Sequence, residues 1–214
     1  MDVDNEKPNP SEASRAASSS RNLPVVEEWE ADPEVATLYE RYRAHFGRPN
    51  VPGILKCFAT HPPLLRSMME LAETMLFVDG DLTRRHKEMI ATLVSAQNAC
   101  PYCADSHGYQ FLEQGGSAEA LRAIEEGKLG DSSLTAAEQA LLSFAAKVNR
   151  NSCQVTNADV AVLGRAGWNV RQIAEAIHIT ALFATFNRVV NAFGLPAQGL
   201  LASYEGRALS RSEG

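Results

Sequence analysis

The segment from Glu88 to His107 concentrates the chain's reactive groups. It contains Cys100-Pro101-Tyr102-Cys103, followed four residues later by His107. Proline suits the first position of a helix, because its missing N–H would be unpaired there anyway. The spacing therefore predicts a helix from Pro101, with Cys100 as N-cap and Cys103 at the third helical position. Unpaired N–H groups and the positive end of the helix dipole then act on both sulfurs. That favours thiolate, the nucleophilic form, as helix N-termini are known to do. Cys103 and His107 are four apart and share a helix face, so the imidazole can accept or relay a thiol proton.

Glu88 belongs to the preceding helix. Met89, Ile90, Ala91, Leu93, Val94 and Ala96 make that helix apolar almost all round, as in a central buried helix. Its exceptions, Glu88, Thr92 and Ser95, form one polar stripe leading to the Cys100 turn. In an antiparallel hairpin Glu88 would lie roughly 13 Å, and His107 roughly 10 Å, below that turn at about 1.5 Å per residue. The expected order is carboxylate, imidazole, thiol, the logic of orienter, base and nucleophile. A carboxylate on an apolar helix also needs a partner, because an unpaired buried charge is expensive.

The elements around this segment read as helical from Pro33 onward, with no convincing period-two alternation. Asp32-Pro33 opens a helix ended by Gly47, and Pro49, Pro52 and Gly53 mark a loop. Further helices are expected from Pro62 to Phe77, from the Thr83 cap to Gln97, from Pro101 to Gln114 and from the Ser117 cap to Gly127. Thr135 with Glu138 is a capping box for a helix to about Asn149, and Thr156 with Asp159 opens another. Asn169 caps a long helix through Phe193, and a last helix covers Leu200 to Leu209. The fold class is all-α, a bundle of about eight to nine helices with short connections. An offset of 87 residues aligns Arg84, Glu88 and Ile90 with Arg171, Glu175 and Ile177. It reads either as coincidence or as two pseudo-repeated halves. In the second case the polar stripe is mostly erased, since Thr92, Ser95, Cys100 and Cys103 meet Ile179, Leu182, Asn187 and Val190, and the second half is scaffold.

Composition bounds the possibilities. The 214 residues are 45% hydrophobic and 21% charged, and 26 acids against 20 bases give a net charge of −6. A chain this long buries about 70% of its unfolded surface and forms a core without staples. An acidic chain lacks the basic face of a nucleic-acid binder, and no uninterrupted apolar run approaches the roughly 18 residues of a membrane span. Residues 1–24 read as a disordered Ser-rich tail without an apolar signal core. The helical domain is expected over 25–209 and a frayed C-terminus over 210–214. A cytoplasmic location follows as the default, and four cysteines there point to catalysis or metal binding rather than structural bridges.

Glu88, eleven intervening residues, Cys100-x-x-Cys103, three more and His107 resemble the motif of the AhpD-like alkylhydroperoxidases, within the carboxymuconolactone decarboxylase superfamily. Val51-Pro52-Gly53, the Pro62 helix, Ser95 and the Asn191-Ala192-Phe193-Gly194 ending are similar to its peroxidase-related branch. The resemblance spans roughly Pro33 to Pro196. It implies an AhpD-like all-α fold, homo-oligomers (trimers or hexamers) and thiol-dependent peroxide reduction. By that resemblance Cys103 is the peroxidatic cysteine, Cys100 the resolving one, and Glu88 with His107 the proton relay. Thr92, Ser95 and Tyr102 are supporting residues. The best-known members carry histidine where this chain has Tyr102. A phenol, with a reference pKa of about 10, is a poor base at neutral pH, so the relay is shorter.

Other readings stand beside this one. The two cysteines, His107 and Glu88 offer four zinc ligands, but the second cysteine or histidine pair usual in structural zinc sites is absent. We expect no metal and no cofactor. A thioredoxin-type site requires a βαβ surround, and a purely structural cysteine pair leaves Pro101 and the polar stripe idle. Cys57 and Cys153 read as small buried hydrophobes. His178, three residues after Glu175, reads as a hydrogen-bonded core or interface histidine. His45, His61 and His86 lie near element ends and need no special role, Trp29 and Trp168 read as packing or interface anchors, and Glu27, Glu28 and Glu30 as a solvated segment. Three functions compete. The first is a peroxidase acting on a small-molecule peroxide and recharged by an external dithiol. The second is a lactone decarboxylase-like lyase using His107 or His178. The third is a redox adaptor whose dithiol acts on a partner protein. No nucleic-acid or membrane partner is expected.

Overall fold

A computed structural model describes residues 21–204, and the expectations for 1–20 and 205–214 lie outside them. Among the described residues the chain is all helical, without a strand. The helices are α1 (Pro33–Phe46), α2 (Gly53–Phe58), α3 (Pro62–Met75), α4 (Arg84–Gln97), α5 (Pro101–Glu113), α6 (Ala118–Glu125), α7 (Ala136–Asn151), α8 (Asn157–Arg165) and α9 (Val170–Phe193). A 3-10 turn, Ser152–Gln154, follows α7, and residues 200–204 are helical.

The start signals act as their chemistry predicts. Asp32 accepts from the Val35 N–H, Thr83 from His86 and Ser117 from Ala120. The capping boxes Thr135–Glu138 and Thr156–Asp159 are both formed. Asn169 and Gln172 exchange side-chain-to-backbone hydrogen bonds at the start of α9. The short helix α2 corrects the expected loop at Gly53. It spans six residues behind Pro52, which offers no capping side chain, so the usual start signal is missing.

The described residues fall into two compact units. The first comprises residues up to Ala72 together with Val189–Leu195. Val35, Leu38, Tyr39, Tyr42, Leu55, Phe58 and Leu65 are buried in it. Glu27 corrects the expectation of a solvated acidic segment. It is buried and paired with Arg21 and Lys56, while Glu28 pairs with Arg43 and Lys56. Cys57 is buried as expected, and burial pushes its thiol up to about 12, which makes it inert.

The second unit comprises Glu73–Arg188 and the residues from Pro196 onward. Here α4 is central and packs against α5, α6 and α7. Lys87 through Ser95 are buried without interruption. Trp168 packs against the Phe144, Leu163 and Ile173 cluster, donates to the Ala137 carbonyl and meets the His86 ring edge-on. One expectation fails in this unit: Cys153 is exposed, because it lies in the 3-10 turn beyond α7. His178 is exposed on α9 and is not a core residue, and Glu175 pairs with Lys87. Among the described residues α9 alone is long and apolar enough to cross a membrane, and half of that stretch is buried within the protein. Core helices of soluble proteins have the same character.

Candidate functional site

The site grows from the junction of α4 and α5. Asn98 caps α4, and Ala99 follows with φ of 48°, the left-handed region. The Ala99 N–H bonds to the Ala96 carbonyl and the Cys100 N–H to the Ser95 carbonyl. This is a Schellman motif, with alanine where glycine is usual. One residue later the chain enters α5, with Cys100 as N-cap and Pro101 at the first position. The stop of one helix is thus welded to the start of the next, and both cysteines sit at the weld.

Neither cysteine is in a disulfide. Cys100 is 1% and Cys103 2% exposed. A hydrogen bond from the Cys103 side chain to the Cys100 sulfur is the main influence drawing the Cys100 thiol down to about 7. Burial opposes it, and the Cys103 backbone N–H and the Asn187 side chain assist. The contact between the two thiols thus favours the anionic form of Cys100.

Glu88 is 0% exposed, and its two carboxylate oxygens are divided. Oε2 meets His107 Nδ1 at 2.6 Å. Oε1 accepts from Arg84 Nε at 2.7 Å, with the second guanidinium nitrogen at 2.6 Å. Arg84 supplies the partner that a buried carboxylate needs, and its guanidinium lies over the Phe77 ring. With Nδ1–H donating to Glu88, His107 keeps its acceptor on Nε2. The His107 ring is braced edge-on by Phe183 at 4.5 Å between centroids. The expected meeting of Glu88 with His107 across the hairpin is thus present.

The supporting residues separate. The Thr92 hydroxyl bonds back to the Glu88 carbonyl, so it caps its own helix turn. Ser95 Oγ accepts from Asn187 Nδ2 at 3.0 Å. Tyr102 is buried, and its carbonyl accepts from Ser106. Among the described residues no three of histidine, cysteine, aspartate and glutamate come together to hold a metal ion.

Sequence reasoning missed Arg84, Asn187 and Phe183. Arg84 was visible as the i−4 partner of Glu88. Asn187 stood out only as a polar residue in the apolar α9. It corrects the reading of the second half as mere scaffold, because that helix delivers an amide to Ser95.

Comparison with known proteins agrees with this architecture. The carboxymuconolactone decarboxylase family model matches residues 62–126. A peroxidase-related protein of Ralstonia eutropha JMP134, an alkylhydroperoxidase AhpD core, has a TM-score of 0.74 at 25% identity, covering 85% of this chain and 94% of its own. A peroxidase-related protein of Silicibacter sp. TM1040 has a TM-score of 0.69 at 28% identity, covering 87% and 92%. A debrominase bound to 2,3,4-tribromopyrrole shares the fold alone, with a TM-score of 0.66 at 16% identity over 82% and 91%. Mouse sestrin-3 is 30% identical over 101 residues, 47% of this chain, and the match spans only 20% of the sestrin's length. Residues 62–126 thus carry the carboxymuconolactone decarboxylase family pattern, within a chain that shares the AhpD-like fold. That fold carries peroxidase-related proteins and a debrominase alike.

Proposed function

We propose that this protein is a thiol-dependent peroxidase that reduces hydrogen peroxide or organic hydroperoxides through Cys100 and Cys103, without metal or cofactor. One observation carries the reading. Two hydrogen-bonded thiols share a helix N-terminus, one turn from an imidazole held by a buried carboxylate. His107, oriented by Glu88, takes the proton of Cys103. The Cys103 thiolate attacks the peroxide O–O bond, which breaks to release an alcohol or water and leaves Cys103 as sulfenic acid. Cys100 then displaces the hydroxyl to form the Cys100–Cys103 disulfide. An external dithiol reduces it by exchange and is itself oxidised.

The decisive experiment is stopped-flow loss of thiol with hydrogen peroxide and with cumene hydroperoxide, in wild type and Cys103→Ser. Rapid oxidation ending in the Cys100–Cys103 disulfide, absent from the variant, supports the reading. A rate no faster than that of an ordinary free thiol rejects it. A cytoplasmic homo-oligomer, trimer or hexamer, completes the proposal, and a strict monomer by light scattering would count against that part.

The lowered Cys100 thiol favours a second reading, in which Cys100 attacks a disulfide of a partner protein. In that case a disulfide substrate is reduced at a rate that Cys100→Ser abolishes, and peroxide turnover is absent.

A further inference from the structure

We propose that Arg84 is a positioning residue for the proton relay, its guanidinium clamping Glu88 so that His107 rests neutral, with Nε2 ready to take a proton. This rests on the peroxidase reading and deepens it.

Arg84 and Glu88 lie one turn apart on the same face of α4. Glu88 Oε1 takes both Arg84 nitrogens, Nε at 2.7 Å and Nη2 at 2.6 Å. Oε2 is left to His107 Nδ1 at 2.6 Å. The cation is itself seated. It lies 4.8 Å from the centroid of the Phe77 ring and reaches Gln110 Oε1, one turn beyond His107 on α5, at 3.5 Å. Helix spacing alone does not make such a clamp. Arg171 and Glu175 have the same spacing on α9, yet Arg171 pairs with Asp81 and Glu175 with Lys87.

The charge balance follows from the clamp. A guanidinium is not deprotonated in a protein, so Arg84 holds Glu88 as a carboxylate, and Nδ1 must donate to it. Side-chain exposure is 0% for Glu88, 14% for His107 and 16% for Arg84, so little water screens the three. With Arg84 in place the carboxylate is already balanced, and a second proton on the ring would leave a net charge poorly solvated. Without Arg84, carboxylate and imidazolium become the balanced pair, and a ring holding both protons can accept none. When Cys103 passes its proton to Nε2, imidazolium and thiolate arise together. The four groups are therefore neutral before and after the transfer.

The surrounding charges are engaged elsewhere. Asp79 accepts from the Arg84 backbone N–H, Arg85 pairs with Glu138 and Lys87 with Glu175. Asp105, on α5 itself, accepts from the backbone of Gln198, Leu200 and Leu201. From α9 the ring meets Phe183, and the side chains that α6 buries are all apolar. Cys103 is the titratable group on the ring's own helix face.

The test is ¹⁵N NMR of the His107 ring at neutral pH, with stopped-flow thiol loss, in wild type, Arg84→Met and Arg84→Lys. The wild-type ring should carry one proton, on Nδ1. In Arg84→Met we expect a doubly protonated ring and thiol loss slowed about tenfold, because the base of the relay is blocked. Arg84→Lys should restore the singly protonated ring and most of the rate. A merely structural role would leave the ring unmoved. A ring still singly protonated in Arg84→Met overturns the proposal. So does an unchanged rate in that variant beside a rapid wild type, or a lysine variant that behaves like the methionine one. Should Arg84→Met fail to fold, wild type and Arg84→Lys decide. One proton on Nδ1 in both supports the proposal, and a doubly protonated ring in either overturns it. Absence of any peroxide-dependent phase in wild type rejects the peroxidase reading alone, and the ring's protonation still judges Arg84.

Discussion

Under the peroxidase reading, Glu88 serves chemistry and stability together. It is fully buried between Arg84 and His107, so its charge is balanced on one side and used on the other. Glu88→Gln keeps the shape but removes the charge. We expect peroxide-driven thiol loss to fall about 100-fold, the lower range for losing an acid–base element. Leaving Arg84 without its carboxylate should also cost about 3 kcal/mol, readable as a lower urea midpoint. Cys100 yields a prediction with a sign. Its folded thiol lies at about 7 against a reference of 9.0, so between pH 7 and 9 the unfolded chain binds more protons. Stability therefore rises with pH across that window and is lost as pH falls through 7. The gain is about 2 kcal/mol, and urea denaturation of reduced wild type at pH 6 and pH 9 should show it. Cys100→Ser should flatten the difference. The pairing of Glu88 with His107 was legible in the sequence because it follows from helix periodicity and one hairpin. The Asn187 contact was not, because it joins residues 92 apart in sequence and no local spacing encodes it.

At the scale of elements, the weld between α4 and α5 is the informative feature. Ala99 adopts a left-handed conformation that costs a non-glycine residue about 1 kcal/mol. Ala99→Gly should relieve that strain and raise stability by up to about 1 kcal/mol, less the entropy glycine loses on folding. Thermal denaturation measures the sum. Should the strain help to seat Cys100, the same variant will oxidise more slowly while being more stable. Helix starts were legible because Asp32, Thr83, Ser117, Thr135 and Thr156 carry side chains that bond to their own helices. The short α2 was hidden because Pro52 carries no such group. Cys153 was misread from its residue type alone; its neighbours Asn151, Ser152 and Gln154 are polar, and the 3-10 turn holds it at the surface.

At the scale of the whole molecule, buried charge does more organising than composition suggests. Lys87 is 0% exposed, and its ammonium reaches the Met75 and Val78 carbonyls and the Glu175 carboxylate. Glu175 also accepts from the Leu82 N–H, so one ion pair ties the 75–82 connection to α9. Lys87→Met should cost about 3–5 kcal/mol by stranding Glu175, which denaturation at neutral pH would show. The all-α class was legible from periodicity. This knot was not, since a lysine beside an apolar run reads as surface.

The 1% and 2% exposure of the two sulfurs makes access a matter of time as well as of geometry. A reagent meets the dithiol only when the hairpin breathes. Alkylation by iodoacetamide should therefore level off as its concentration rises, at the opening rate, and a bulky maleimide should reach a lower ceiling. A small peroxide needs a lesser opening than a protein-sized reductant, so the clock of the cycle would be set by the slower visitor.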